Sequence, residues 1–72
     1  MNYDQITEIL KSSHFYPVPV KQNGKITELH IECPAIITME DKRKRLEEVL
    51  QDCGVKISEM RNEGYLLIKK KK

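Results

Sequence analysis

The chain has no tryptophan, a single phenylalanine and only 6% aromatic residues in all. The side chains that bury the most area are nearly missing, so a core built here is aliphatic and thin. Glycine is scarce too. Gly24, Gly54 and Gly64 stand alone as turn or cap residues, and no glycine-rich loop that cradles phosphate is present. No apolar run approaches the ~18 residues needed to cross a bilayer as a helix. Met1 to Leu10 carries acids within an amphipathic pattern, unlike the basic start and apolar stretch of an export signal. Cys33 and Cys53 allow at most one disulfide. Without an export signal they are expected as free, largely buried thiols in a reducing cytoplasm. The expectation is a cytoplasmic protein with no membrane partner, forming one domain over residues 1–72, because so short a chain cannot support two cores.

Neither sign of charge dominates. Thirteen Lys and Arg stand against eleven Asp and Glu, a formal net charge of +2. The distribution is uneven, however. Lys42, Arg43, Lys44 and Arg45 form one block and Lys69 to Lys72 another, together eight of the thirteen cations. The body is thus mildly acidic with two basic spots, unlike the broad basic face of a strong nucleic-acid binder.

Hydrophobic spacing supplies the elements. Asn2 followed by Tyr3, Ile6, Ile9 and Leu10 reads as a capped amphipathic helix, ended by Ser12, Ser13 and His14. Pro17 and Pro19 forbid helix in Phe15 to Val20. They also remove two N–H groups that would point the same way, which makes this segment an edge strand. Gln22-Asn23-Gly24 signals a turn, and Thr27, Leu29, Ile31 and Cys33 then alternate with Glu28, His30 and Glu32, completing a β-hairpin. Pro34 either closes the hairpin or forces a bulge in a strand running on through Ile36 and Ile37. Thr38 is placed as the next N-cap, with Glu40 and Asp41 in the first turn. Leu46, Val49, Leu50 and Cys53 share a helical face, and Gly54 reads as the left-handed stop. Val55 and Ile57 alternate with polar residues, Arg61 to Gly64 turns, and Tyr65-Leu66-Leu67-Ile68 is a short continuous apolar strand.

The fold class predicted is α+β, ordered α-β-β-α-β-β. Tyr65 to Ile68, apolar on both faces, belongs at the centre of a sheet, whereas the half-polar Val55 to Glu59 suits an edge. With the proline strand at the other edge, a four-stranded antiparallel sheet of order 1-2-4-3 results, both helices covering one face. The second half also repeats the first at an offset of 40 residues: Glu8 with Glu48, Leu10 with Leu50, Gly24 with Gly64. A pseudo-twofold relation between halves of about 1–33 and 38–70 is expected, with a basic tail at 69–72.

Chemistry-bearing residues are thinly spread. His14, His30, Cys33 and Cys53 match no CxxC or HxxxH spacing, and His30 and Cys33 fall on opposite faces of a regular strand, so no metal is expected. No nucleophile has both a base and an orienting group. Neither an enzyme nor a cofactor is expected. What remains are two surfaces. One is the uncovered sheet face, carrying Glu28, His30 and Glu32 together with either Tyr65 and Leu67 or Leu66 and Ile68; it suits another protein or a second copy of this chain. The other is a phosphate-contacting patch of Lys42, Arg43, Lys44 and Arg45 with Lys69 and Lys70, which suits nucleic acid. The outward Glu28 and Glu32 favour the protein partner, so the leading expectation is a small non-enzymatic binding or regulatory module.

Overall fold

A computed structural model describes residues 1–71; Lys72, the last residue of the expected basic tail, lies outside the described residues. The first helix, α1 (Tyr3–Ser12), starts as its sequence implies. Asn2 Oδ1 accepts from the Gln5 backbone N–H at 2.8 Å, and Gln5 Oε1 accepts from the Asn2 N–H at 2.9 Å. This reciprocal capping box satisfies two donors that the helix leaves unpaired. At the other end Phe15 N–H donates to Leu10 O at 2.8 Å and His14 N–H to Lys11 O at 3.0 Å. That is a Schellman closure, with His14 in the left-handed position usually held by glycine (φ 65°). Leu10 and Phe15, paired across this closure, are both buried.

The first strand is β1 (Val18–Gln22), later than the predicted Phe15 start because Phe15 is consumed in closing α1. Asn23 and Gly24, at φ 53° and 78°, make a two-residue turn into β2 (Lys25–Glu32), the twist that suits a tight hairpin. The ladder shifts within it. Val20 faces Glu28 and Lys21 faces Ile26, so Thr27 has no opposite number, and its hydroxyl donates instead to Val20 O at 3.4 Å. This bulge lets Ile26 and Leu29 both pack against the core, where strict alternation would separate them.

Of the two alternatives at Pro34, the hairpin closes, and no strand runs on through Ile36 and Ile37. The second helix, α2 (Ile36–Val49), begins there, with Ala35 as N-cap and no side-chain cap. Thr38 is not the cap; its hydroxyl donates to Ala35 O at 3.0 Å. Pairing runs out at Cys33, whose N–H donates to Gly64 O at 2.8 Å just before the neighbouring strand starts. Residues 35–37 have no ladder to join, and helix is how their backbone groups are satisfied. Glu40 and Asp41 consequently sit beyond the first turn. The helix ends at Leu50, whose N–H donates to Leu46 O at 2.9 Å, so Gly54 is not its stop. Gly54, at φ 65°, instead turns the chain into β3 (Val55–Met60). A turn over residues 61–64 leads to β4 (Tyr65–Lys70).

The strands lie in the predicted order, β1-β2-β4-β3, all antiparallel. Both helices pack on one face, joining Ile6, Leu10, Met39, Leu46 and Leu50 to Leu29, Ile31, Leu66 and Ile68 in one buried cluster. The repeat holds in architecture and in part of the core: Ile6 with Leu46 and Leu10 with Leu50 are equivalently buried. It fails beyond the Thr27 bulge, where buried Leu29 would align with exposed Lys69. No helix among the described residues is long and apolar enough to cross a membrane.

The left-handed His14 gives a first prediction. His14→Gly removes the Cβ conflict and is expected to raise stability by roughly 0.5–1 kcal/mol, read by urea denaturation as a higher midpoint with an unchanged slope.

Candidate functional site

The face opposite the helices can be laid out from the register. Val18 on β1 faces His30 on β2, His30 faces Leu67 on β4, and Leu67 faces Ser58 on β3. Toward one end of the sheet, Glu32, Tyr65 and Met60 form the next row. Toward the other, Val20 faces Glu28 while Lys69 faces Lys56. Period-two alternation thus settles which half of the apolar strand looks outward. Tyr65 and Leu67 join Glu28, His30 and Glu32 there, while Leu66 and Ile68 are fully buried beneath the helices and are not available to a partner.

His30 is the fixed centre of this face. Its Nε2 lies 2.5 Å from Glu28 Oε2, two residues along the same strand. On its other side the imidazole stacks on the Tyr65 ring, centroids 3.9 Å apart and planes inclined by 18°. A stack of this kind contributes about 0.5–1.5 kcal/mol beyond area burial. Held from two sides, the ring has little rotamer freedom left to lose when something packs on it. Beside it a shallow hollow of about 330 Å³ is lined by Val18, His30, Glu32, Pro34, Glu63 and Tyr65. Two carboxylates and two stacked rings border it, with no lysine or arginine among the lining residues.

The basic block is placed differently from expectation. Lys42 to Arg45 occupy the middle of α2, because the helix starts at Ile36, away from the positive end of its dipole. Consecutive helical residues are also about 100° apart around the axis, and four of them cannot form one patch. Each has a local neighbour. Lys42 Nζ donates to Glu32 O at 3.2 Å. Arg43 spans Glu59, at 2.6 Å, and Glu47, at 2.8 Å. Lys44 Nζ lies 3.6 Å from Glu40, the more favourable i,i+4 order, acid before base. The Arg45 guanidinium sits 5.3 Å from the centre of the Phe15 ring.

Lys69 lies on the open face opposite Lys56, but Lys70 is turned elsewhere. Its backbone N–H donates to Tyr3 Oη at 2.9 Å, and its ammonium lies 5.5 Å from the Tyr3 ring centre. Tyr3 Oη in turn donates to Thr27 O at 2.9 Å. Sequence reading also missed a second hollow here, at the start of α1, where Lys21, Lys25 and Lys70 come together around Asp4 and Tyr3. These lysines are scattered in the chain, and only the closed hairpin and the last strand gather them.

Cys33 is buried and Cys53 half-buried, both as free thiols. Among the described residues no three His, Cys, Asp or Glu side chains are grouped as metal ligands. His14 is exposed at the helix end, while His30 is engaged on the sheet.

The strongest electrostatic tie is Glu59 between Arg43 and Arg61. The Arg43 guanidinium first, and Arg61 second, hold its carboxyl below the usual glutamate range, and Glu59 raises Arg43 in return. A carboxyl depressed in the folded state stabilises the fold above its unfolded value and loses that contribution as pH falls through the folded one. Glu59→Gln is therefore expected to be less stable than the parent at neutral pH. The difference should shrink on acidification below the usual carboxylate range, as measured by parallel denaturation of both proteins across pH.

No protein-family model, no curated protein and no solved structure matches the chain.

Proposed function

We propose that the protein is a small non-catalytic binding module that docks another protein on its open sheet face. The observation that carries this reading is the His30–Tyr65–Leu67 surface. Its rings are already fixed by stacking and by Glu28, yet neither helix covers them. A rigid aromatic and aliphatic centre with a charged border is the anatomy of a protein-binding patch. Charge defines the partner's side of the contact. It presents apolar groups over Val18, Leu67 and Met60, and cationic side chains toward Glu28, Glu32 and the hollow beside Glu63. The free Cys33 and Cys53 support a reducing, cytoplasmic setting.

A nucleic-acid role for Lys42 to Arg45 has less support. Those cations point around the helix, and each already engages a carboxylate, a carbonyl or a ring. The outward carboxylates of β2 would also repel phosphate.

Affinity capture with the parent and two variants separates these readings. Leu67→Asp, on the half-buried outer face, is expected to fold and to lose the captured protein. Leu66→Asp places a charge in the core, at a cost of about 3–5 kcal/mol, and should fail to fold. Capture that survives Leu67→Asp, or capture of nucleic acid alone that vanishes with moderate salt, overturns the proposal.

A further inference from the structure

The two edges of the sheet are not equally protected. β1 carries Pro19 and follows Pro17, residues that keep another strand from pairing, while the register shift beside it comes from the extra residue Thr27 in β2. Against such pairing β3 has only the edge Lys56 and the already ion-paired Glu59. Its six residues, Val55 to Met60, run in unbroken register with β4 and contain no proline. Its outer row of backbone N–H and C=O groups has no strand beside it, since β3 is terminal in the sheet. Alongside lies a groove of about 400 Å³ in which Leu50, Val55 and Ile57 are flanked by Glu47, Lys56 and Lys71. A free edge flanked by a groove is what strand addition uses: backbone bonds hold the added strand, and the groove takes its alternate side chains.

We infer that the β3 edge pairs antiparallel with β3 of a second copy, joining two sheets into one of eight strands. This is independent of docking on the open face. Opposed residues in such a pair project to the same side, so helices stay on a common side only if residues of like parity meet. Charge then narrows the register, and apolar pairing settles it. Centring the twofold on Lys56 sets that ammonium against its own copy, and centring it on Glu59 opposes two carboxylates. Centring on Ser58 also opposes no like charges, but it sets both Ile57 side chains against Glu59 and leaves no apolar pair on the helix side. Centring on Ile57 brings the two Ile57 side chains together on the helix side, places Lys56 opposite Ser58, and sets Val55 opposite Glu59. No like charges meet, and Glu59 arrives already neutralised by Arg43 and Arg61. The vacant groove beside Leu50 receives the second copy's Ile57.

This register makes a test of opposite signs. Ser58 lies on the outer face of the edge strand, half-buried and without a hydrogen-bonded side chain to disturb. Ser58→Glu places a carboxylate opposite Lys56 of the second copy, twice by symmetry, whereas Ser58→Lys places two cations there. Sedimentation equilibrium should show self-association tightened by the first and weakened by the second, each by about threefold to tenfold. In the parent, hydrogen exchange at the β3 amides that point away from β4 should slow as concentration rises, and Leu67→Asp should leave self-association unchanged. A protein monomeric at millimolar concentration overturns the inference. So do two Ser58 variants that shift association alike, or concentration-dependent protection confined to β1. Self-association abolished by Leu67→Asp would assign the second copy to the open face, overturning the edge pairing while leaving the open face as a docking surface.

Discussion

Everything about the exposed surface follows from the β2–β4 ladder. Leu29 lies opposite Ile68 and Ile31 opposite Leu66, all buried beneath two helices that share one side of the sheet. A strand cannot turn successive side chains the same way. Burying Leu66 and Ile68 therefore forces Tyr65 and Leu67 outward, next to His30. With two helices and four strands, the chain has only enough structure for two layers. The outer face is thus a consequence of how the core is made, and its apolar content is what the central strand had left after supplying that core.

The same ladder organises the charges. Glu59 is the one β3 residue on the helix side that is ionised, and it is opposite Leu66. A carboxylate there needs compensation. Arg43 reaches down from α2 and Arg61 from the following turn to supply it. Half of what reads as a basic stretch is thus internal to the fold: Arg43 fastens α2 to β3, and Lys42 fastens it to the end of β2.

Local signals were legible in the sequence and non-local ones were not. Asn2 with Gln5, the Asn23-Gly24 turn and the prolines of the first strand each act within a few residues. They led to α1, the first hairpin and the strand order. The start of α2 was misplaced because it depends on where β2 runs out of partners at Gly64, forty positions from the hairpin turn it resembles. Gly54 was misread because the last helical turn closes on Leu46 through Leu50, ahead of any glycine. The bulge at Thr27 has no sequence mark, yet it decides that both Ile26 and Leu29 reach the core. For the site, Glu28, His30 and Glu32 were placed by alternation. Tyr65 to Ile68, apolar throughout, has no period of its own, and only its pairing with β2 fixes its phase.

Tyr3 reaches from the first helical residue to both Thr27 and Lys70. One phenol thus ties the beginning of the chain to its last strand, at the end of the sheet away from Tyr65 and Glu32. Tyr3 and Lys70 are neighbours in space. A short peptide bridging the two ends, with a new opening cut in the Asn62–Glu63 turn, would keep every strand pairing. The order in which the chain is written is therefore a weaker constraint on this architecture than the contacts around that hydroxyl.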